Sequence, residues 1–102
     1  PYLAHTRDEY REIKKAIEEL LQEVAELAKK LEDARVFMSQ LNFQVAENIL
    51  RDILSFDLKK LENKPWLKTK AEAIIAEARE HLKEVDELRR IYGYRYASYS
   101  RR

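Results

Sequence analysis

Apolar residues recur at alternating intervals of three and four along the first third of the chain. They are Tyr10, Ile13, Ile17, Leu20, Val24, Leu27, Leu31 and Ala34. Spacing sustained in this way puts all of these side chains on one face of an α-helix, with Glu and Lys on the other faces. Such a helix gains most of its stability by packing that face against another element, so the sequence predicts a helical bundle.

The ends of the first helix are indicated by local signals. In "TRDEY", Thr6 is a candidate N-cap and Glu9 its capping-box partner. We therefore predict a first helix over residues 7–35.

A third helix is predicted to start at "ENKPWLK", where Asn63 is a candidate cap and Pro65 falls in the first turn. One apolar stripe follows, formed by Leu67, Ala71, Ile74, Ala78, Leu82, Val85 and Leu88. We place this helix at residues 64–92 or beyond.

The middle of the chain allows two interpretations, because residues 32–44 contain neither Gly nor Pro. We predict a turn within residues 35–41, with Ser39 or Asn42 as caps, and a second helix over residues 41–62. The alternative is one continuous helix from Thr6 to Glu62, which would give a long helical hairpin that forms a coiled-coil dimer.

We favour the first interpretation: residues 1–102 form a single all-α domain, an up-down-up antiparallel three-helix bundle with long helices. The chain has one Gly and two Pro, which leaves few turns. The first and third helices would then match in length at about 42 Å, at 1.5 Å per residue.

The residue types give no support for catalysis. Without cysteine there is neither a thiolate nucleophile nor a thiolate metal ligand, and no glycine-rich loop is present to bind a phosphate. His81 has Glu77 and Glu84 nearby on a helix, but no second histidine at helical spacing, and His5 is remote in sequence. We expect no enzyme activity, no metal and no cofactor.

No apolar run approaches the roughly 20 residues of a membrane span, and no leader opens the chain. We expect a soluble protein that makes no membrane contact, and the absence of cysteine leaves its compartment open.

The final segment, "IYGYRYASYSRR", differs from the rest of the chain. Residues 89–102 carry five Arg and no acidic residue. On a helix Tyr92, Tyr96 and Tyr99 would continue the apolar stripe, whereas Gly93 predicts that the helix stops at Tyr92. Tyr and Arg are also common in recognition surfaces, and they suit single-stranded nucleic acid as well.

Core extension, protein binding and nucleic-acid binding thus remain open for this tail. The candidate partner-binding residues are Tyr92, Gly93, Tyr94, Arg95, Tyr96, Tyr99, Arg101 and Arg102, together with Phe37 and Met38 near the predicted turn, where large apolar side chains would be half-exposed. Asp57 and Lys60 fall inside the broad apolar arc of the second helix. They either reach solvent or mark a part of the arc that faces a partner.

The first ninety residues resemble computationally designed helical bundles. The resemblance rests on "EELLQEVAELAKKLED", "AEAREHLKEVDELRR", the capping box and the near absence of Gly. It implies a scaffold in which the two irregular stretches, residues 35–57 and 92–102, carry a binding surface or a grafted epitope.

Residues 87–102 are also similar to the death-motif helix with which apoptotic ligands occupy the groove of pro-survival Bcl-family proteins. Leu88 and Ile91 match groove-anchor positions, but the motif's signature Asp is Gly93 here and its next anchor is Arg95.

The expected function is a non-catalytic protein-interaction module, and the alternative is a small nucleic-acid-binding protein that uses the Arg/Tyr tail. We expect a monomer with a protein partner, and keep a homodimer as the alternative.

Overall fold

The computed structural model describes the backbone of residues 2–100 and the side chains of residues 6–92. Three α-helices account for most of this part of the chain, which contains no strand. They are α1 (Tyr2–Ser39), α2 (Phe43–Leu54) and α3 (Pro65–Ser100), and a 3₁₀ turn, Leu58–Leu61, precedes α3. The predicted all-α three-helix bundle is confirmed.

Ion pairs between the helices show that α2 runs antiparallel to α1. Lys30 of α1 binds Asp52 of α2, with 2.6 Å between the amine nitrogen and the carboxylate oxygen. Glu23, earlier in α1, binds Lys60, which follows α2, at 3.4 Å. Residues later in the chain therefore meet residues earlier in α1, as the up-down-up order requires.

The third helix runs parallel to α1 but overlaps only part of it. The buried residues of α1 lie between Val24 and Ala34, and those of α3 lie between Leu67 and Val85. The molecule is 81 Å long, whereas α1, the longest helix, has 38 residues and spans about 57 Å at 1.5 Å per residue. Hence α1 extends past the bundle at one end and α3 extends past it at the other.

The core lies in the short region where all three helices overlap. Its buried side chains are Val24, Leu27, Leu31, Ala34, Ala46, Leu50, Ile53, Leu61, Leu67, Ala71, Ile74, Ile75, Ala78 and Val85. Each helix contributes at least one alanine, and a small side chain at such a position lets neighbouring backbones approach closely.

The turn between α1 and α2 is made without glycine. Leu41 adopts φ 62°, in the left-handed region. Its N–H donates to the carbonyl of Met38 at 3.0 Å, and the N–H of Asn42 donates to the carbonyl of Phe37 at 2.9 Å. These two bonds form a Schellman motif, which ends a helix by satisfying its last carbonyls. The turn falls close to the predicted position and rules out one continuous helix from Thr6 to Glu62.

Several predicted boundaries were wrong. Helix α1 begins at Tyr2, before the predicted cap Thr6, and α2 ends at Leu54 rather than at residue 62. After α2 the carboxylate of Asp57 accepts a hydrogen bond from the N–H of Lys59 at 3.0 Å and so starts the 3₁₀ turn. The matched pair of helices at about 42 Å is replaced by two longer, staggered ones.

Candidate protein-interaction surface

The N-terminal part of α1 carries apolar side chains that the bundle leaves exposed. We call residues 2–19 the α1 arm, because Leu20 is the first residue of α1 that packs against the core. Tyr10 is 66% exposed and Ile13 is 61% exposed, although both belong to the same apolar stripe as the buried residue Val24. The stripe therefore continues from the core onto an open helix surface.

The apolar stripe of the α1 arm has charges of opposite sign on its two sides. At 100° per residue, Glu12 and Glu19 lie on one flank, while Arg7 and Lys14 lie on the other. All four side chains are exposed. A helix that docks on this stripe therefore meets an acidic edge on one side and a basic edge on the other.

The arm meets the bundle at a sharp boundary. Lys60, in the 3₁₀ turn, pairs with Glu23, and the neighbouring Leu61 is fully buried. Helix α3 begins directly afterwards, and Trp66 in its first turn is 59% exposed. The space beside the α1 arm therefore lies in line with α3, ahead of its N-terminus.

At the opposite end of the molecule, residues 86–100 follow Val85, the last residue of α3 that is buried among the side chains described up to Tyr92, and we call them the α3 arm. Ile91 is 48% exposed and Tyr92 is 39% exposed. The Tyr92 ring lies 5.8 Å from the Phe43 ring at the start of α2. Two large side chains thus reach the surface where the arm leaves the bundle.

The third helix was predicted to reach residue 92 or beyond, and the structure shows the longer alternative: the backbone of α3 remains helical past Gly93 to Ser100. A single glycine inside a helix lowers its stability by only about 1 kcal/mol relative to alanine, which a long helix tolerates. The other predicted tail residues lie outside the described side chains: Tyr94, Arg95, Tyr96, Tyr99, Arg101 and Arg102.

The remaining predicted site residues lie in the bundle region. Phe37 and Met38 are half-buried and pack against the core, just before the turn. Asp57 and Lys60 are exposed and belong to the connection after α2. The two charged residues therefore reach solvent and do not interrupt an apolar surface.

A group of charged side chains joins α2 to the base of the α3 arm. Glu47 accepts from Arg51 at 3.0 Å and from Arg89 at 2.7 Å, and its side chain is only 19% exposed. Hydrogen bonds from Arg51 and then from Arg89 hold the pKa of the Glu47 carboxyl below its ordinary value of 4.5. The group therefore links α2 to the base of the α3 arm by charged hydrogen bonds.

The lowered pKa of Glu47 predicts a specific acid sensitivity. A carboxyl whose pKa is depressed in the folded state stabilises the fold above its ordinary pKa, and that contribution is lost as the pH falls below 4.5. We expect Glu47→Gln to remove part of the loss of stability seen on acidification, measured as the urea midpoint against pH. The control Glu72→Gln, on the exposed side of α3, should keep the wild-type profile. Identical pH profiles for Glu47→Gln and wild type would contradict the prediction.

His81 is the most enclosed ionisable side chain of α3. Its side chain is 13% exposed, and its ring nitrogens lie 3.9 Å from Glu77 and 3.4 Å from Glu84. Across residues 6–92, no three side chains of His, Asp or Glu are grouped so that they could hold a metal ion. No stretch of the described helices has the length and hydropathy that a bilayer span requires.

Tyr10 and Ile13 were not predicted as site residues, because their spacing is that of the core stripe. The second helix predicted over residues 41–62 would span about 33 Å at 1.5 Å per residue, close to the length of about 36 Å from Tyr10 to Ala34. Helix α2 has only 12 residues, so it covers about half of that stripe. The exposure of Tyr10 and Ile13 therefore follows from the short α2, which the sequence did not indicate.

Comparisons with known proteins provide no relative from which a function could be transferred. No family model, no curated protein and no solved structure matches the chain. Its function is therefore argued from this surface.

Proposed function

We propose that this chain is a non-catalytic protein-interaction module, a helical scaffold whose α1 arm binds an amphipathic helix of a partner protein. The observation that carries the proposal is the exposure of Tyr10 and Ile13, at 66% and 61%, on a stripe continuous with the core. The heptad regularity of the bundle supports the scaffold part of the proposal, and the designed character suggested by the sequence fits it.

The physical reason is the cost of leaving these side chains in water. Burying one large apolar side chain contributes about 1.5 to 3 kcal/mol, and the α1 arm presents two of them one turn apart. Helical partners typically dock through side chains at such i and i+3 spacing. A partner helix that covers both residues would complete the packing that α2 and α3 provide further along α1.

The flanking charges define the complementary partner. A partner helix should place basic residues beside Glu12 and Glu19 and acidic residues beside Arg7 and Lys14. Such charge pairs contribute more to orientation and association rate than to affinity. The partner's binding face should therefore be apolar in the middle and oppositely charged at its edges.

The proposal is tested with a displayed library of amphipathic helical peptides. Peptides selected on the wild-type chain should lose about 30-fold in affinity for the variant Ile13→Glu, which is the effect expected when an interface anchor worth about 2 kcal/mol is removed. Fluorescence anisotropy of the selected peptide measures the change.

The matched control is Val36→Glu, which makes the same kind of change at a residue 45% exposed on the same helix but outside the arm. Its affinity for the selected peptides should equal that of the wild type. If Ile13→Glu bound them as tightly as Val36→Glu does, the α1 arm would not be the binding surface.

The alternative function, binding of single-stranded nucleic acid, has less support. Two of the five tail arginines lie in ion pairs within the chain: Arg89 with Glu47 at 2.7 Å, and Arg90 with Asp86 at 2.6 Å. Phosphate contacts would make the affinity for an oligonucleotide fall steeply as salt is raised. Salt-sensitive binding of an oligonucleotide at the tail would favour this alternative.

A further inference from the structure

We propose that the helix that docks on the α1 arm is the α3 arm of a second copy of this chain, so that copies associate head to tail. This inference rests on the proposed function, because it names the occupant of the same surface.

Helix α1 can contact a helix α3 twice, once within its own chain and once in a second copy. Within one chain these helices face each other where Arg35 binds Glu77 at 3.3 Å. Leu21 lies two heptads before Arg35, and Ile91 lies two heptads after Glu77, so both residues fall on the sides along which the helices face each other. Leu21 is 41% exposed and Ile91 is 48% exposed, because each lies outside the segment in which α1 and α3 of one chain overlap.

The space beside the α1 arm lies where a second α3 helix would be expected. The stripe of the α1 arm continues into Val24 and Leu27, which are buried in the core that α3 helps to cover. Before the start of α3 at Pro65, the apolar stripe of the α1 arm faces a space that no described helix occupies. A helix entering this space would continue the line of α3 and end near Trp66.

Helices α1 and α3 are nearly equal in length. Helices α1 and α3 have 38 and 36 residues, and so span about 57 Å and 54 Å. When successive copies are placed end to end, the α1 helices and the α3 helices therefore repeat at nearly the same distance. The α1 arm is about 27 Å long and the α3 arm about 22 Å, so one arm fits along the other.

Charge favours this pairing over the other ways of combining two copies. The α3 arm has three Arg and two acidic residues, whereas the α1 arm has five acidic and four basic residues, so the two arms carry net charges of opposite sign. Two α3 arms carry net charge of the same sign. Two antiparallel α1 arms would bring acidic flank to acidic flank, since equivalent edges meet in that arrangement.

A parallel pair of α1 arms is blocked by the fold. The second α1 helix would continue past Leu20 into the space that α2 and α3 already occupy beside the core residues of α1. The α3 arm is covered by its own bundle only at its base, where Arg89 pairs with Glu47 at 2.7 Å and the Tyr92 ring lies 5.8 Å from the Phe43 ring, so the helix beyond Tyr92 can lie beside the α1 arm of a second copy. A contact between two different surfaces of this kind continues from copy to copy, so it leads to open chains of molecules unless the rotation between copies closes a ring.

The test uses two variants, each with one damaged surface. Ile13→Glu damages the α1 arm and Ile91→Glu damages the α3 arm. In sedimentation velocity, the wild type should form species larger than a dimer as its concentration rises, and each variant alone should remain monomeric. An equimolar mixture of the two variants should form a 1:1 dimer and nothing larger, because only one intact contact exists. Each damaged surface should weaken association about 30-fold.

The other outcomes overturn the inference. Association of Ile91→Glu alone would show pairing between α1 arms, and association of Ile13→Glu alone would show pairing between α3 arms. A mixture that stays monomeric would also contradict it. If the wild type were monomeric at every concentration while still binding selected helical peptides, the inference would fail and the proposed function would stand. Equal melting temperatures for the variants and the wild type confirm that all are folded.

Discussion

Leu50→Ala is expected to lower the free energy of unfolding by about 3 to 5 kcal/mol, the range observed for leucine-to-alanine changes in well-packed cores. Leu50 is 0% exposed and lies on α2, the helix that packs against both α1 and α3. With only 12 residues, α2 has little room to shift and fill the cavity. For a chain of this size such a loss is a large part of the total stability.

The matched control is Leu21→Ala, the same change at a residue that is 41% exposed. In dilute solution it should cost much less than Leu50→Ala, since much of the side chain already contacts water. Urea unfolding followed by circular dichroism measures both variants. Equal losses would mean that α2 does not form the centre of the core.

Ala78→Leu is expected to destabilise the bundle by about 1 to 3 kcal/mol, because it forces three methyl-sized groups into a packed interior. Ala78 is 0% exposed, as are Ala71 on the same helix and Ala34 and Ala46 on the facing helices. These small residues set how closely the three backbones approach. A larger side chain at this position must push α3 away from its neighbours or adopt a strained rotamer.

Ala76→Leu provides the control, because residue 76 is exposed on the same helix two positions earlier. Leu is nearly as good a helix former as Ala, so the free energy of unfolding should change by only a few tenths of a kcal/mol. Thermal unfolding of the two variants distinguishes them. A value for Ala78→Leu close to that for Ala76→Leu would show that the alanine layer has spare room.

Local patterns in the sequence were sufficient for the fold class. The stripe from Val24 to Ala34 is buried as predicted, and so is the stripe from Leu67 to Val85 apart from Leu82, which is half-buried. Pro65 begins α3, as expected of a proline in the first helical turn. These features were predictable because helical periodicity and proline geometry act within a few residues.

The ends of α2 were harder to predict because they depend on neighbours distant in sequence. Leu41 adopts a left-handed backbone conformation, which usually favours glycine. Leu61 is buried in a 3₁₀ turn rather than in an α-helix. Both residues take the conformation that lets the chain reverse and still bury its apolar side chains. Tertiary packing here overrides local preference.

The candidate site shows the same division. The sequence identified an apolar stripe that includes Tyr10 and Ile13, and its interpretation as core was reasonable because the spacing is the same throughout. Which part of that stripe is covered depends on how far α3 slides along α1. Only the packed molecule fixes this distance, because the overlap follows from the short α2 and from pairs such as Arg35 with Glu77.

By itself, then, the sequence determined that the chain forms three amphipathic helices around one core, since the periodicity of apolar side chains is a local property. The tertiary structure alone decided that α1 and α3 are staggered by about half their length. The physical reason is that 12 residues of α2 and the connection after it return the chain to the middle of α1 rather than to its start. That stagger leaves the two arms, and with them the surface proposed to bind a partner.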